Sequence, residues 1–118
     1  MIHVGSVVID CNDLQAMLAF WQEALHYVPR DPPGAGFAVL KDPAGRRVNV
    51  SLQVVPEHRV GKNRLHLDLY SDDQAAEVER LLGLGATRHP RAAEPDDDFV
   101  LLQDPEGNVF CVVDKPGG

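Results

Sequence analysis

Apolar residues alternate with polar ones along some segments and recur every three or four positions along others. Over 65–70, Leu65, Leu67 and Leu69 alternate with His66, Asp68 and Tyr70. Over 47–54, Val48, Val50, Leu52 and Val54 alternate with Arg47, Asn49, Ser51 and Gln53. A period of two is the strand signature, with one face buried. The Val- and Ile-rich stretch 3–11 reads as another strand, with Val7, Ile9 and Cys11 opposite Ser6, Val8 and Asp10. Leu14, Met17, Leu18, Trp21, Ala24 and Leu25 have helical spacing, and Asn12 or Asp13 is placed to cap that helix. Trp21 is expected in the core. Ala75, Val78, Leu81 and Leu82 predict a second helix, capped by Ser71 or Asp72 and stopped by Gly83 and Gly85. Further strands are expected at 36–41, 98–103 and 108–114, with short ones at 27–30 and 86–89.

The pattern repeats. Phe37-Ala-Val-Leu-Lys-Asp-Pro-Ala-Gly45 returns as Phe99-Val-Leu-Leu-Gln-Asp-Pro-Glu-Gly107, sharing F-x-x-L-x-D-P-x-G. Val7 to Asp13 likewise resembles Leu67 to Asp73. D-P-x-G predicts a turn, because Pro presets φ and Gly accepts positive φ. The chain therefore reads as module one (1–55), a connector (56–61) and module two (62–114) within a single domain, 1–118. The expected class is α+β: two tandem βαβββ modules forming a curved mixed sheet around a cleft, with helices on the outer face.

Composition narrows the function classes. With 118 residues, 44% hydrophobic and 25% charged, this is an ordinary globular chain. Eighteen acids against 11 Lys and Arg give a net charge of −7, which argues against nucleic acid as a partner. No apolar run approaches the ~18 residues of a membrane span. The start, MIHVGSVVID, lacks a basic leader segment, so no signal peptide is expected. Two distant cysteines, Cys11 and Cys111, suggest free thiols and a cytoplasmic location.

The helices must cover one sheet face, which leaves the polar sets for a cleft. His, Asp, Tyr, Asn, Ser and Gln are directional groups suited to holding a small ligand. His66 is the best single candidate for chemistry, because imidazole ligates metals and moves protons near neutral pH. Asp68 shares its strand face and can orient the ring. His3, His26, His58 and His89 are assigned no role. Arg46, Arg47, Arg59, Lys62 and Arg64 form a modest basic group, read as solvated surface, with anion binding as the alternative. The acidic stretch 94–98 reads as a solvated loop tip. No phosphate-binding glycine loop, CxxC, HExxH or nucleophile elbow occurs.

Together these residues resemble the vicinal oxygen chelate superfamily, which includes glyoxalases, extradiol dioxygenases and bleomycin-resistance proteins. The text that carries the likeness is Asp13 with Phe20-Trp21, then Lys62-Asn-Arg-Leu-His-Leu-Asp68, then Asp104-Pro-Glu-Gly-Asn-Val-Phe-Cys111. The chain is most similar to small glyoxalase-like proteins of high-GC bacteria. The resemblance implies four metal-ligand positions, falling here on Ser6, Asn49, His66 and Cys111. Only His66 carries the residue type expected. The implied function is a small-molecule-binding protein with a degenerate metal site and no cofactor. Its cleft would be lined by Ser6, Asn49, Ser51, Gln53, His66, Asp68, Tyr70 and Cys111. One alternative is a lyase, isomerase or dioxygenase using a divalent metal at His66 with Asp68 or Cys111. Another is a non-catalytic dimeric interaction module. A homodimer is the expected assembly.

Overall fold

The computed structural model describes residues 1–91 and 93–115. The chain divides into two compact units, Met1–His58 and Arg59–Gly118, so the break falls inside the expected connector. In the first unit the order is β1 (Ser6–Cys11), α1 (Leu14–Leu25), β2 (Val28–Pro29), β3 (Phe37–Lys41) and β4 (Asn49–Val54). These strands form one sheet, ordered β1-β4-β3-β2, with β1 parallel to β4 and the other pairs antiparallel. The second unit repeats the plan with β5 (Leu67–Ser71), α2 (Gln74–Leu84), β6 (Thr87–Arg88), β7 (Phe99–Gln103) and β8 (Val109–Asp114). Its sheet runs β5-β8-β7-β6, again with one parallel pair, β5 and β8. The expected βαβββ repeat is thus present as two four-stranded mixed sheets.

Each sheet buries one face under its own helix. On α1, Leu14, Met17, Phe20, Trp21 and Ala24 are buried, meeting Leu40, Val50 and Leu52 of the sheet layer. Phe20, absent from the expected stripe, stands edge-on to Trp21 at 5.1 Å between ring centroids. In the second unit Val78 and Leu81 of α2 are buried with Leu102, Phe110 and Val112 of the sheet. No helix among the described residues is long and apolar enough to cross a membrane.

Helix ends show where local chemistry decided between candidates. Asp13 caps α1 by accepting from Ala16 N at 3.1 Å. Asp73 caps α2, one residue past the expected Asp72, while the Ser71 hydroxyl accepts from Asp73 N. Gly85, at φ 119°, ends α2; Gly83 lies inside the helix instead of stopping it. The D-P-x-G turns form as expected, around a carboxylate hub. Asp42 accepts from the N–H groups of Ala44, Arg46 and Arg47. Asp104, almost fully buried, accepts from Glu106 N and from both Asn108 N and Nδ2.

Strand boundaries differ from the alternation. The strands begin at Ser6, Asn49 and Leu67, so His66 sits just before β5. Leu65, expected on the apolar face, is 84% exposed, because no partner strand reaches it. Val48 and Val54, at and beyond the ends of the covered sheet, are exposed as well.

Candidate functional site

The second unit carries a pocket of about 800 Å³. Its floor is the sheet face opposite α2. The lining takes alternate residues from three neighbouring strands: Asp68 and Tyr70 of β5, Val109, Cys111 and Val113 of β8, and Phe99, Leu101 and Gln103 of β7. Register explains the convergence. Asp68 lies beside Cys111 and Cys111 beside Leu101, while Tyr70, Val113 and Phe99 form the next row. Loops supply the walls: Arg59, Lys62, Asn63 and His66 before β5, His89, Arg91 and Asp98 around β7, and Lys115 after β8. The face is only half polar, where a polar lining was expected. Residues 109–113 are apolar on both faces, so alternation is silent there.

Three side chains meet at the centre. His66 Nε2 lies 3.2 Å from Asp68 Oδ1. The Cys111 thiol, largely buried, donates to the Asp68 carboxylate. Burial first, and then the Asp68 charge and this hydrogen bond, push the thiol up to about 11, with Arg91 opposing weakly. Cys111 is therefore protonated at neutral pH and is no ready nucleophile. One donor atom from each of His66, Asp68 and Cys111 lies within 4.8 Å of the others.

Asn63 donates its amide N–H to Val109 O at 3.0 Å. Its buried Oδ1 has no partner among the described residues, which leaves an acceptor that a ligand donor can meet. Of the carboxylates over 94–98, Glu94, Asp96 and Asp98 are exposed, as expected of a solvated tip, while Asp97 is half-buried. Asp97 accepts from Glu94 N and pairs with Arg91 at 3.1 Å, and these contacts hold its carboxyl below the ordinary carboxylate range. Arg91 also lies over the Phe99 ring, 5.1 Å from its centroid.

The basic group read as one solvated patch is split. Arg59 and Lys62 line this pocket, together with His89, which had been assigned no role. Arg46 and Arg47 instead border a smaller hollow in the first unit, beside Tyr27 and Asp42. There burial, then Asp42, raises the Tyr27 phenol, whose hydroxyl donates to Val48 O.

Of the eight expected cleft residues, His66, Asp68, Tyr70 and Cys111 come together here. Ser6, Asn49, Ser51 and Gln53 lie on β1 and β4 of the first unit. Ser51 is 2% exposed, and its hydroxyl shares a 2.7 Å hydrogen bond with that of Ser6. Both cysteines are buried, and neither is in a disulfide.

Comparison with protein families places residues 6–113 in the family described as Glyoxalase-like domain. The chain belongs to this family. It is thereby a member of the vicinal oxygen chelate superfamily. Solved structures agree on the fold of this glyoxalase-like domain. A glyoxalase/bleomycin resistance protein/dioxygenase family enzyme from Burkholderia phytofirmans is similar at 20% identity and a TM-score of 0.76, covering 94% of this chain and 97% of that one. A mutant fosfomycin resistance protein, FosX, from Listeria monocytogenes, complexed with Mn(II) and dihydroxypropylphosphonic acid, is similar at 14% identity and a TM-score of 0.77. There the match covers 99% of this chain and 94% of that one. The protein ATC0852 from Agrobacterium tumefaciens gives 15% identity and a TM-score of 0.78, covering 99% and 100%. No curated protein matches the sequence significantly.

The donor set does not fit the four-ligand metal that the superfamily implies. Two of its positions carry neutral oxygen donors here, the Asn49 amide and a Ser6 hydroxyl already engaged with Ser51. Hard divalent cations want carboxylate oxygens or imidazole at such positions.

Proposed function

We propose that this glyoxalase-like domain is a small-molecule-binding protein of the glyoxalase/bleomycin-resistance type with a degenerate metal site. The ligand would seat on the open face of the second sheet, against His66, Asp68, Tyr70 and Cys111. The observation that carries this reading is the pocket of about 800 Å³ built from alternate residues of three strands. That size suits a small organic molecule, for which sites run roughly 300–1,000 Å³. Its mixture of apolar floor and few directional polar groups also suits one. A FosX structure carries a small organic phosphonate, which gives the same fold a precedent as a ligand-binding frame. The reading extends to a cytoplasmic homodimer, with Val8 and Phe37 exposed on the open face of the first sheet as apolar surface to cover. The test is an NMR titration of the full chain with a library of aromatic and peptide-like compounds. Binders should move the Tyr70 and His66 signals, and His66→Ala should weaken them. A library that never perturbs either residue would remove the support.

One observation favours a second reading, a metal-dependent lyase, isomerase or dioxygenase. His66, Asp68 and Cys111 offer imidazole, carboxylate and sulfur within a single unit. That set suits zinc better than magnesium or manganese. Elemental analysis of the purified protein distinguishes the readings. Stoichiometric zinc that disappears in His66→Ala supports the enzyme; protein that purifies without metal and takes up none from added zinc excludes it.

A further inference from the structure

The charge of the second-unit pocket runs against the charge of the chain. The protein as a whole carries −7. The pocket, however, is lined by four cations, Arg59, Lys62, Arg91 and Lys115, against two carboxylates, Asp68 and Asp98, a formal +2 with both histidines neutral. These charges are not equivalent. Asp68 is engaged by His66 and by the Cys111 thiol. Arg91 is held by Asp97. Arg59 and Lys62 have no carboxylate within ion-pair distance among the described residues. Lys115 has none either; its ammonium stands 5.2 Å above the Tyr70 ring centroid.

Arg59 is placed, not loose. Its guanidinium donates to Gly61 O. It also lies over Gly107, where a Cβ would stand 3.4 Å from Arg59 Nη2. Gly107, at φ +86°, closes the second D-P-x-G turn, so the motif that shapes the hairpin also leaves room for this cation. A guanidinium spends one or two of its five donors on such a seat and keeps the rest. Concave, low-dielectric surroundings strengthen the field of such uncompensated cations. Beyond them, Leu101, Val109, Val113 and the rings of Tyr70 and Phe99 form an apolar floor.

We propose that this pocket takes a small organic anion, a carboxylate or phosphate carried on an apolar or aromatic body. Arg59 and Lys62 hold the anionic group, and the sheet floor takes the body. This rests on the binding reading above and adds the ligand's chemical class. A planar guanidinium receives either anion through paired N–H donors. The partner is a free small molecule, because nucleic acid would meet the repulsion of a −7 surface.

The experiment is an NMR titration of the full chain with phenylacetate, phenyl phosphate and neutral phenylacetamide at matched, low ionic strength. At least one anion should shift the Tyr70, Gly107 and Cys111 amides. It should bind about fivefold or more tighter than phenylacetamide, as a partly screened charge contact allows. The advantage should shrink with added salt. Arg59→Gln and Lys62→Gln should each erase most of it, read as the ratio of anion to phenylacetamide affinity within each variant. Arg59→Lys should restore part of it. The two anions report which group is preferred. If phenylacetamide binds as well as both anions, or if the Gln variants bind the anions like the parent, the anion assignment falls while the binding reading stands. Should none of the three compounds shift these amides, the anion assignment also falls, and the wider library decides the binding reading.

Discussion

Burial, and then the Asp68 carboxylate, pushes the Cys111 thiol up to about 11, so its proton stays on through the physiological range. Two outcomes follow from that sign. Alkylation of Cys111 by iodoacetamide should be slow at pH 8 and accelerate toward pH 11. Asp68→Asn removes a negative charge and a charged acceptor, which moves the thiol toward its ordinary 9.0. That should raise the alkylation rate at pH 8 about tenfold, one unit of ionisation. Stability should also fall as pH rises from 9 to 11. In that window the unfolded chain has lost the Cys111 proton and the folded chain keeps it, so alkali favours unfolding. Thermal melts across this range, compared with Cys111→Ser, read the effect. At Ser51 the issue is satisfaction rather than charge. Its hydroxyl is buried against that of Ser6, so Ser6→Ala should cost about 1 kcal/mol by denaturant titration, the cost of an unmet hydrogen bond. His66 stood out in the sequence because its chemistry is carried by residue type. The meaning of Cys111 did not, because it depends on Asp68 lying beside it across a parallel strand pair.

Elements were legible wherever a local rule governs them. Helical spacing marked α1 and α2, and the repeated D-P-x-G marked both turns. The short β2 and β6 also form close to the expected places. Ends were less legible, since a cap is chosen by which side chain reaches a free N–H. Asp73 reaches Ala76 N, and Asp72 is not the cap. Asp13→Ala and Asp73→Ala should each cost about 1 kcal/mol, read as shifts in melting temperature. The first D-P-x-G turn makes a pH-dependent contribution. Three backbone N–H groups, foremost that of Ala44, hold the Asp42 carboxyl below the ordinary carboxylate range. A lowered carboxyl stabilises the fold above that range and loses the contribution as pH falls through it. Asp42→Asn should therefore lower the melting temperature at pH 7, and the gap should narrow below pH 4. An unchanged gap would show that hydrogen bonding, not ionisation, holds the turn. The strands β7 and β8 expose a limit of alternation. Phe110 and Val112 face the helix while Val109 and Val113 floor the pocket, and both sets are apolar.

At the scale of the whole molecule, the −7 balance gives way to a local reversal in the second unit. A homodimer, the proposed assembly, should sediment at twice 12.9 kDa; a monomer across the accessible concentration range would dismiss it. Sequence alone determined the class, the tandem βαβββ plan and the superfamily. The class and the plan follow from periodicity, turn chemistry and a repeat, all of which are read along the chain, and the superfamily follows from the resemblance that the motifs carry. The sequence also marked His66, Asp68 and Tyr70 through strand alternation, and His66 and Cys111 through the resemblance. Tertiary structure decided the rest. Strand order put Asp68 against Cys111, and loop paths brought Arg59, Lys62, Arg91 and Lys115 around one pocket. Their separations in sequence, up to 56 positions, carry no period. Coulomb interaction depends on distance in space, and only the folded chain sets that distance.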